Sequence, residues 1–80
     1  MKKQQPRSPS RIDILVGANI RRRREAKGLT QTALGEAMGV SFQQVQKIEK
    51  GANRISAGHL YAAAKLLDCK INVFFDPRPA

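Results

Sequence analysis

A glycine and a helix-capping hydroxyl recur as a pair along the middle of the chain: Gly28 before Thr30, Gly39 before Ser41, Gly51 before Ser56. Glycine adopts the left-handed conformation that ends a helix at no steric cost. A Ser or Thr hydroxyl accepts from the free N–H groups that open the next helix. The pairs therefore cut the chain into short helices joined by tight turns. Ser10 and Asp13 have the spacing of a capping box, so a first helix is expected from there to about Lys27. A second is expected over Gln31–Met38, a third over Ser41–Lys50, and a fourth after Ser56. The second and third, with Gly39 between them, have the helix-turn-helix arrangement.

The apolar residues give each segment a face. Ile12, Val16 and Ile20 recur every four residues in the first. Arg24 continues that stripe, so it is expected to point inward and to need a partner. It is the last of the consecutive arginines Arg21–Arg24, which cannot all share one face. Leu34, Ala37 and Met38 are the inward set of the second helix, and Leu60, Ala63, Ala64 and Leu67 that of the fourth. Val40 with Val45, and Ile55 with Leu60, flank caps at hydrophobic-staple positions. The end of the chain is ambiguous. Cys69, Ile71, Val73 and Phe75 alternate as in a strand, but the run is short and Pro77 ends it. A short fifth helix over Ile71–Phe75 is the expectation and a strand the alternative. The fold class is thus an all-α, compact five-helix domain over residues 10–76, with a disordered basic tail at 1–9 and a short C-terminal tail at 77–80.

Eighty residues make one small domain with one modest core. Fifteen Lys and Arg against six Asp and Glu give a net charge of +9, which favours a polyanionic partner. The basic residues lie on no single amphipathic stripe, and there is no aromatic stacking platform, so a membrane surface or RNA is disfavoured. Cys69 is the only cysteine, which rules out an intrachain disulfide. There is one His, no metal-ligand cluster, and no carboxylate pair beside a fitting base. No enzyme, cofactor or metal is expected. Nor is a membrane span or a signal peptide, which points to a cytoplasmic protein.

The third helix carries the functional signal. Gln46, Lys47 and Lys50 fall within about 60° of Gln43 on a helical wheel, with Val45 and Ile48 opposite. One face is thus apolar, and the other holds amides and ammoniums with no carboxylate between Glu36 and Glu49. A solvated face usually mixes both signs, whereas a carboxylate aimed at DNA would repel phosphate. A glutamine amide pairs with adenine N6 and N7 in the major groove, and Lys47 reaches guanine O6/N7 or a phosphate. Gln43, Gln46 and Lys47 are the candidate base contacts. Phe42 either packs on a thymine methyl or against the second helix. Ser41 and Lys50, at the two ends of the helix, are candidate phosphate contacts. Gln44 is assigned to the capping box with Ser41.

With these residues in place, the run IRRRREAKGLTQTALGEAMGVSFQQVQKIEKGANR resembles the phage lambda repressor-like family of helix-turn-helix regulators, also called Cro/CI or XRE-type. The likeness covers about residues 12–75. It implies a sequence-specific regulator that binds double-stranded DNA, as a homodimer, with the third helix in the major groove. By the same resemblance Gln31, Asn53 and Arg54 touch phosphate, and Arg24 pairs with Glu49. Phe74 and Phe75 are the dimer candidates, with burial of one of them the alternative. Arg23 stands where many relatives carry an apolar residue, and Gly35 where Ala is more usual. A second function class, an antitoxin that binds both DNA and a partner protein, would be favoured by a C-terminal strand.

Overall fold

The computed structural model describes residues 10–78. The tail expected at 1–9 and the last residues, 79–80, lie outside the described residues. Four α-helices follow in order: α1 Arg11–Ala26, α2 Gln31–Met38, α3 Phe42–Glu49 and α4 Ala57–Leu66. A 3₁₀ helix, Ile71–Phe75, stands in place of the fifth α-helix that the sequence suggested.

The caps are formed where the hydroxyls predict them. Ser10 and Asp13 make both bonds of a capping box, and Thr30, Ser41 and Ser56 each accept from the backbone N–H three residues on. Ser41 makes only the first half of its box, because Gln44 supplies its backbone N–H alone. Gly28, Gly39 and Gly51 all have φ near +70 to +77°. Each lies within a paired closure of the last turn, as in Leu29 N–H to Arg24 C=O and Gly28 N–H to Glu25 C=O. The end of α4 uses the same closure, but Asp68 occupies the left-handed position with φ 54°.

The core gathers Val16 and Ile20 of α1, Leu34 and Met38 of α2, Val45 and Ile48 of α3, Ala63, Ala64 and Leu67 from α4 and its end, and Phe74. α1 packs on α3 and the 3₁₀ helix, while α2 packs on α3 and α4. The inward stripe of α1 starts one turn later than expected. Ile12 is 54% exposed, because none of the described residues covers the first turn of α1 on that side; the stripe continues through Val16 and Ile20 to Arg24. On α2, Ala37 is exposed and Gly35 is buried in its stead. A Cβ on Gly35 would sit 2.6 Å from the Val40 carbonyl, so the residue marks a close approach of the turn to the helix.

The tightest approach is between α1 and α3. A Cβ on Gly17 would collide with the Ile48 carbonyl and lie 2.9 Å from that of Glu49. Only a residue without a side chain lets the end of α3 rest on α1. The 3₁₀ geometry at the C-terminus has a local cause. Pro77 has no N–H and holds Asp76 extended (φ −78°, ψ 120°), and Lys70 offers no side-chain cap. Two i to i+3 bonds, Val73 N–H to Lys70 C=O and Asp76 N–H to Val73 C=O, complete the turn.

Two substitutions should move stability in opposite directions. Gly17→Ala forces α1 from α3 and should cost about 3 kcal/mol. Asp68→Gly removes a left-handed non-glycine and should add about 0.5–1 kcal/mol. Urea unfolding of the two variants beside the parent measures both.

Candidate nucleic-acid interface

Ser41 fixes the start of α3, and Gly51 fixes its end, where Ala52 N–H bonds to Lys47 C=O at 2.9 Å. Between them Val45 and Ile48 are buried against α1 and α2. Burying each such side chain contributes about 1.5–3 kcal/mol, so the helix cannot roll without losing both. Phe42, Gln43, Gln46, Lys47 and Lys50 are exposed on the opposite face. That face carries two ammoniums and no carboxylate, since Glu49 turns inward.

Glu49 meets the stripe residue Arg24. Arg24 Nε donates to Glu49 Oε2 at 2.6 Å and Nη2 to Oε1 at 3.0 Å, a two-pronged ion pair with both residues buried. Arg24 Nη1 donates to the Leu29 carbonyl at 2.8 Å, which ties in the turn between α1 and α2. The hydrogen bond to Glu49 raises the guanidinium pKa still further above its ordinary value, so Arg24 is charged at any accessible pH. A third donor completes the carboxylate: Gln31 Nε2 lies 3.0 Å from Glu49 Oε1. Among the described residues no buried side-chain polar atom is left without a partner.

The remaining sequence-predicted residues sit at the margins of α3. Asn53 is half-buried and Arg54 exposed in the loop that follows it. Arg54 Nε lies 3.6 Å from Asp13 Oδ2, a long contact on a largely exposed arginine that leaves the guanidinium available. Phe42 is exposed at the first turn of α3. The two dimer candidates separate. Phe74 is 0% exposed, sealed in the core between α1 and α4, and cannot serve an intermolecular contact in this fold; Phe75 is 43% exposed. Asn19 was not singled out in the sequence. It is buried on α1, its Nδ2 donates to the carbonyls of Phe74 and Asp76 at 2.9 and 2.7 Å, and its Oδ1 accepts from Arg22 at 2.6 Å. Its position three residues after Val16 and one before Ile20, flanking the stripe, was the available signal.

The model of a helix-turn-helix family matches residues 20–74. The chain belongs to that family. This helix-turn-helix protein is 51% identical over 70 residues to the uncharacterized HTH-type transcriptional regulator y4wC of Sinorhizobium fredii, covering 88% of this chain and 49% of the relative. It is 49% identical over 73 residues to an uncharacterized transcriptional regulator in the ATPase CF(0) region of Rhodospirillum rubrum, covering 84% of this chain and 68% of that one. It spans about half the length of the rhizobial regulators that it matches. Its fold is similar to that of the restriction-modification controller protein C.AhdI of Aeromonas hydrophila, with a TM-score of 0.72 and 29% identity over 78% of this chain and 94% of the other. It is also similar to the clp gene regulator ClgR of Corynebacterium glutamicum, with a TM-score of 0.77 and 25% identity over 84% and 71% of the two chains. The family to which the sequence shows resemblance is thus the family of the chain.

Removing one side of the Arg24–Glu49 pair strands a buried charge. Arg24→Ala should destabilise the protein by about 3 kcal/mol or more. A double-mutant cycle with Glu49→Ala should show coupling of the same order in thermal or urea unfolding; coupling near zero would mean that the pair contributes only packing.

Proposed function

We propose that this helix-turn-helix protein is a sequence-specific, double-stranded DNA-binding transcriptional regulator that acts in the cytoplasm without enzymatic activity. α3 enters the major groove. The observation that carries this reading is the exposed face of α3, where amides and ammoniums stand with no free carboxylate on a helix whose other face is locked into the core. Gln43, Gln46 and Lys47 read base edges, with Phe42 beside them for a thymine methyl. Ser41 and Lys50 at the ends of α3, Asn53 and Arg54 after it, and Gln31 at the start of α2 hold the phosphates. The Thr30 cap takes the Ala33 N–H, and the N–H groups of Gln31 and Thr32 at the start of α2 have no partner in the helical ladder, an arrangement that favours an anion.

The protein works as a homodimer on two-fold sites. Half-sites about 34–36 Å apart match the reach of two such helices. Phe75 is the exposed aromatic left for the contact. The antitoxin alternative was to be favoured by a C-terminal strand. Residues 71–75 form a 3₁₀ helix, so that support is missing and the regulator is preferred.

Selection of bound sequences from a random duplex pool supplies the operator on which the residues are tested. Gln43→Ala should leave folding intact and lower operator affinity by about 1–3 kcal/mol, with the preference at one base pair flattened. Lys50→Ala should weaken all sequences alike and reduce the slope of log affinity against log salt by about one unit. Equal weakening of operator and random DNA by Gln43→Ala would mean that the side chain holds backbone and reads nothing. An affinity insensitive to salt would remove DNA as the partner.

A further inference from the structure

We propose that Glu49 is a positioning residue for DNA binding: from inside the core it sets the amide of Gln31 so that one N–H is aimed at the phosphate backbone. The proposal rests on the phosphate-contact reading of Gln31 given above. Glu49 cannot meet DNA itself, because its side chain is 2% exposed. Its Oε1 accepts from both Arg24 Nη2 and Gln31 Nε2, each at 3.0 Å. A glutamine amide has two N–H bonds and one carbonyl. Turned the other way, Gln31 would press its carbonyl oxygen against a carboxylate, so the flipped amide is repelled. Arg24 in turn cannot yield Glu49, because its Nε and Nη1 are fixed by Glu49 Oε2 and the Leu29 carbonyl. The chain of contacts runs from the α1 stripe through α3 to the first residue of α2. Gln31 is half-buried, with its second N–H directed away from Glu49. An exposed glutamine must be ordered when it meets a phosphate; Gln31 is ordered beforehand.

The test is a double-mutant cycle of Gln31→Ala and Glu49→Gln in the full chain, read as affinity for a short random-sequence duplex, since a phosphate contact is made on any sequence. In Glu49→Gln the new amide can present its own NH₂ to Gln31, which removes the orientation. The expected result is a loss on the order of 3–10-fold, the worth of one hydrogen bond, in the parent background and none in the Gln31→Ala background. An equal loss in both backgrounds, or none in either, overturns the proposal. Side-chain amide NMR of the unmodified protein provides a readout that survives if Glu49→Gln unfolds. The two Gln31 NH₂ protons should be widely separated in shift and slow to exchange, unlike those of the exposed Gln43 and Gln46; identical behaviour of all three overturns the proposal. If Gln31→Ala does not change affinity while its amide is protected in the parent, the phosphate reading itself has failed, and the positioning role falls with it.

Discussion

A buried guanidinium and a buried carboxylate join the last turns of α1 and α3 beside a core of apolar side chains. Taking two charges out of water costs several kcal/mol each, and their attraction offsets this only when geometry is good and the remaining donors and acceptors are satisfied. Both conditions hold at Arg24 and Glu49. Arg24 uses three nitrogens on two acceptor residues, and Glu49 uses both oxygens on two donor residues. The arrangement fixes register. A slip of α3 by one residue would carry Glu49 about 100° round the helix, away from Arg24, and leave both charges unpaired. The exposed face of α3 is therefore aimed by a contact on its buried side.

Gly17 works with this pair. Two helices that cross at a glycine can bring backbone close to backbone, and here α1 lies against the last carbonyls of α3. The short distance puts a 16-residue helix and an 8-residue helix in a fixed relation that packing of larger side chains would leave looser. The 8-residue helices α2 and α3 are too short to persist alone in water. They exist because caps close their ends and because Leu34, Met38, Val45 and Ile48 are covered by α1 and α4.

Much of this was legible from local chemistry. The hydroxyl caps and the left-handed glycines are decided by residues a few positions apart, so the four α-helices and the turn between α2 and α3 could be placed from the sequence. The inward turn of Arg24 followed from the stripe at 16 and 20, and the family resemblance supplied Glu49 as its partner. What escaped was set by residues far away. Ile12 fits the stripe, yet its exposure depends on which elements reach the first turn of α1. Nothing near Phe74 and Phe75 says which ring enters the core; the segment is held against α1 by Asn19, 55 and 57 residues from the carbonyls that it grips. The 3₁₀ form of the last element, by contrast, has its cause close by, in Pro77 and the missing cap at Lys70. Among the candidate site residues, the exposed set on α3 could be read from a wheel. The tie of Gln31 to Glu49 joins residues 18 apart in sequence on two different helices and has no periodic signature.

Asn19 also ties the two ends of the fold together. Its side-chain nitrogen bridges to carbonyls 55 and 57 residues further along the chain, and the ring of Phe74 closes the same region of the core. α1 is thus covered by α3 along one part and by residues 71–75 along another. Contacts of such sequence separation carry the largest loop-closure cost, so the domain is shut by a link that local helix formation cannot supply. A fragment ending at α4 would keep the turn between α2 and α3 but would leave Asn19 without its two acceptors and the core open beside α1.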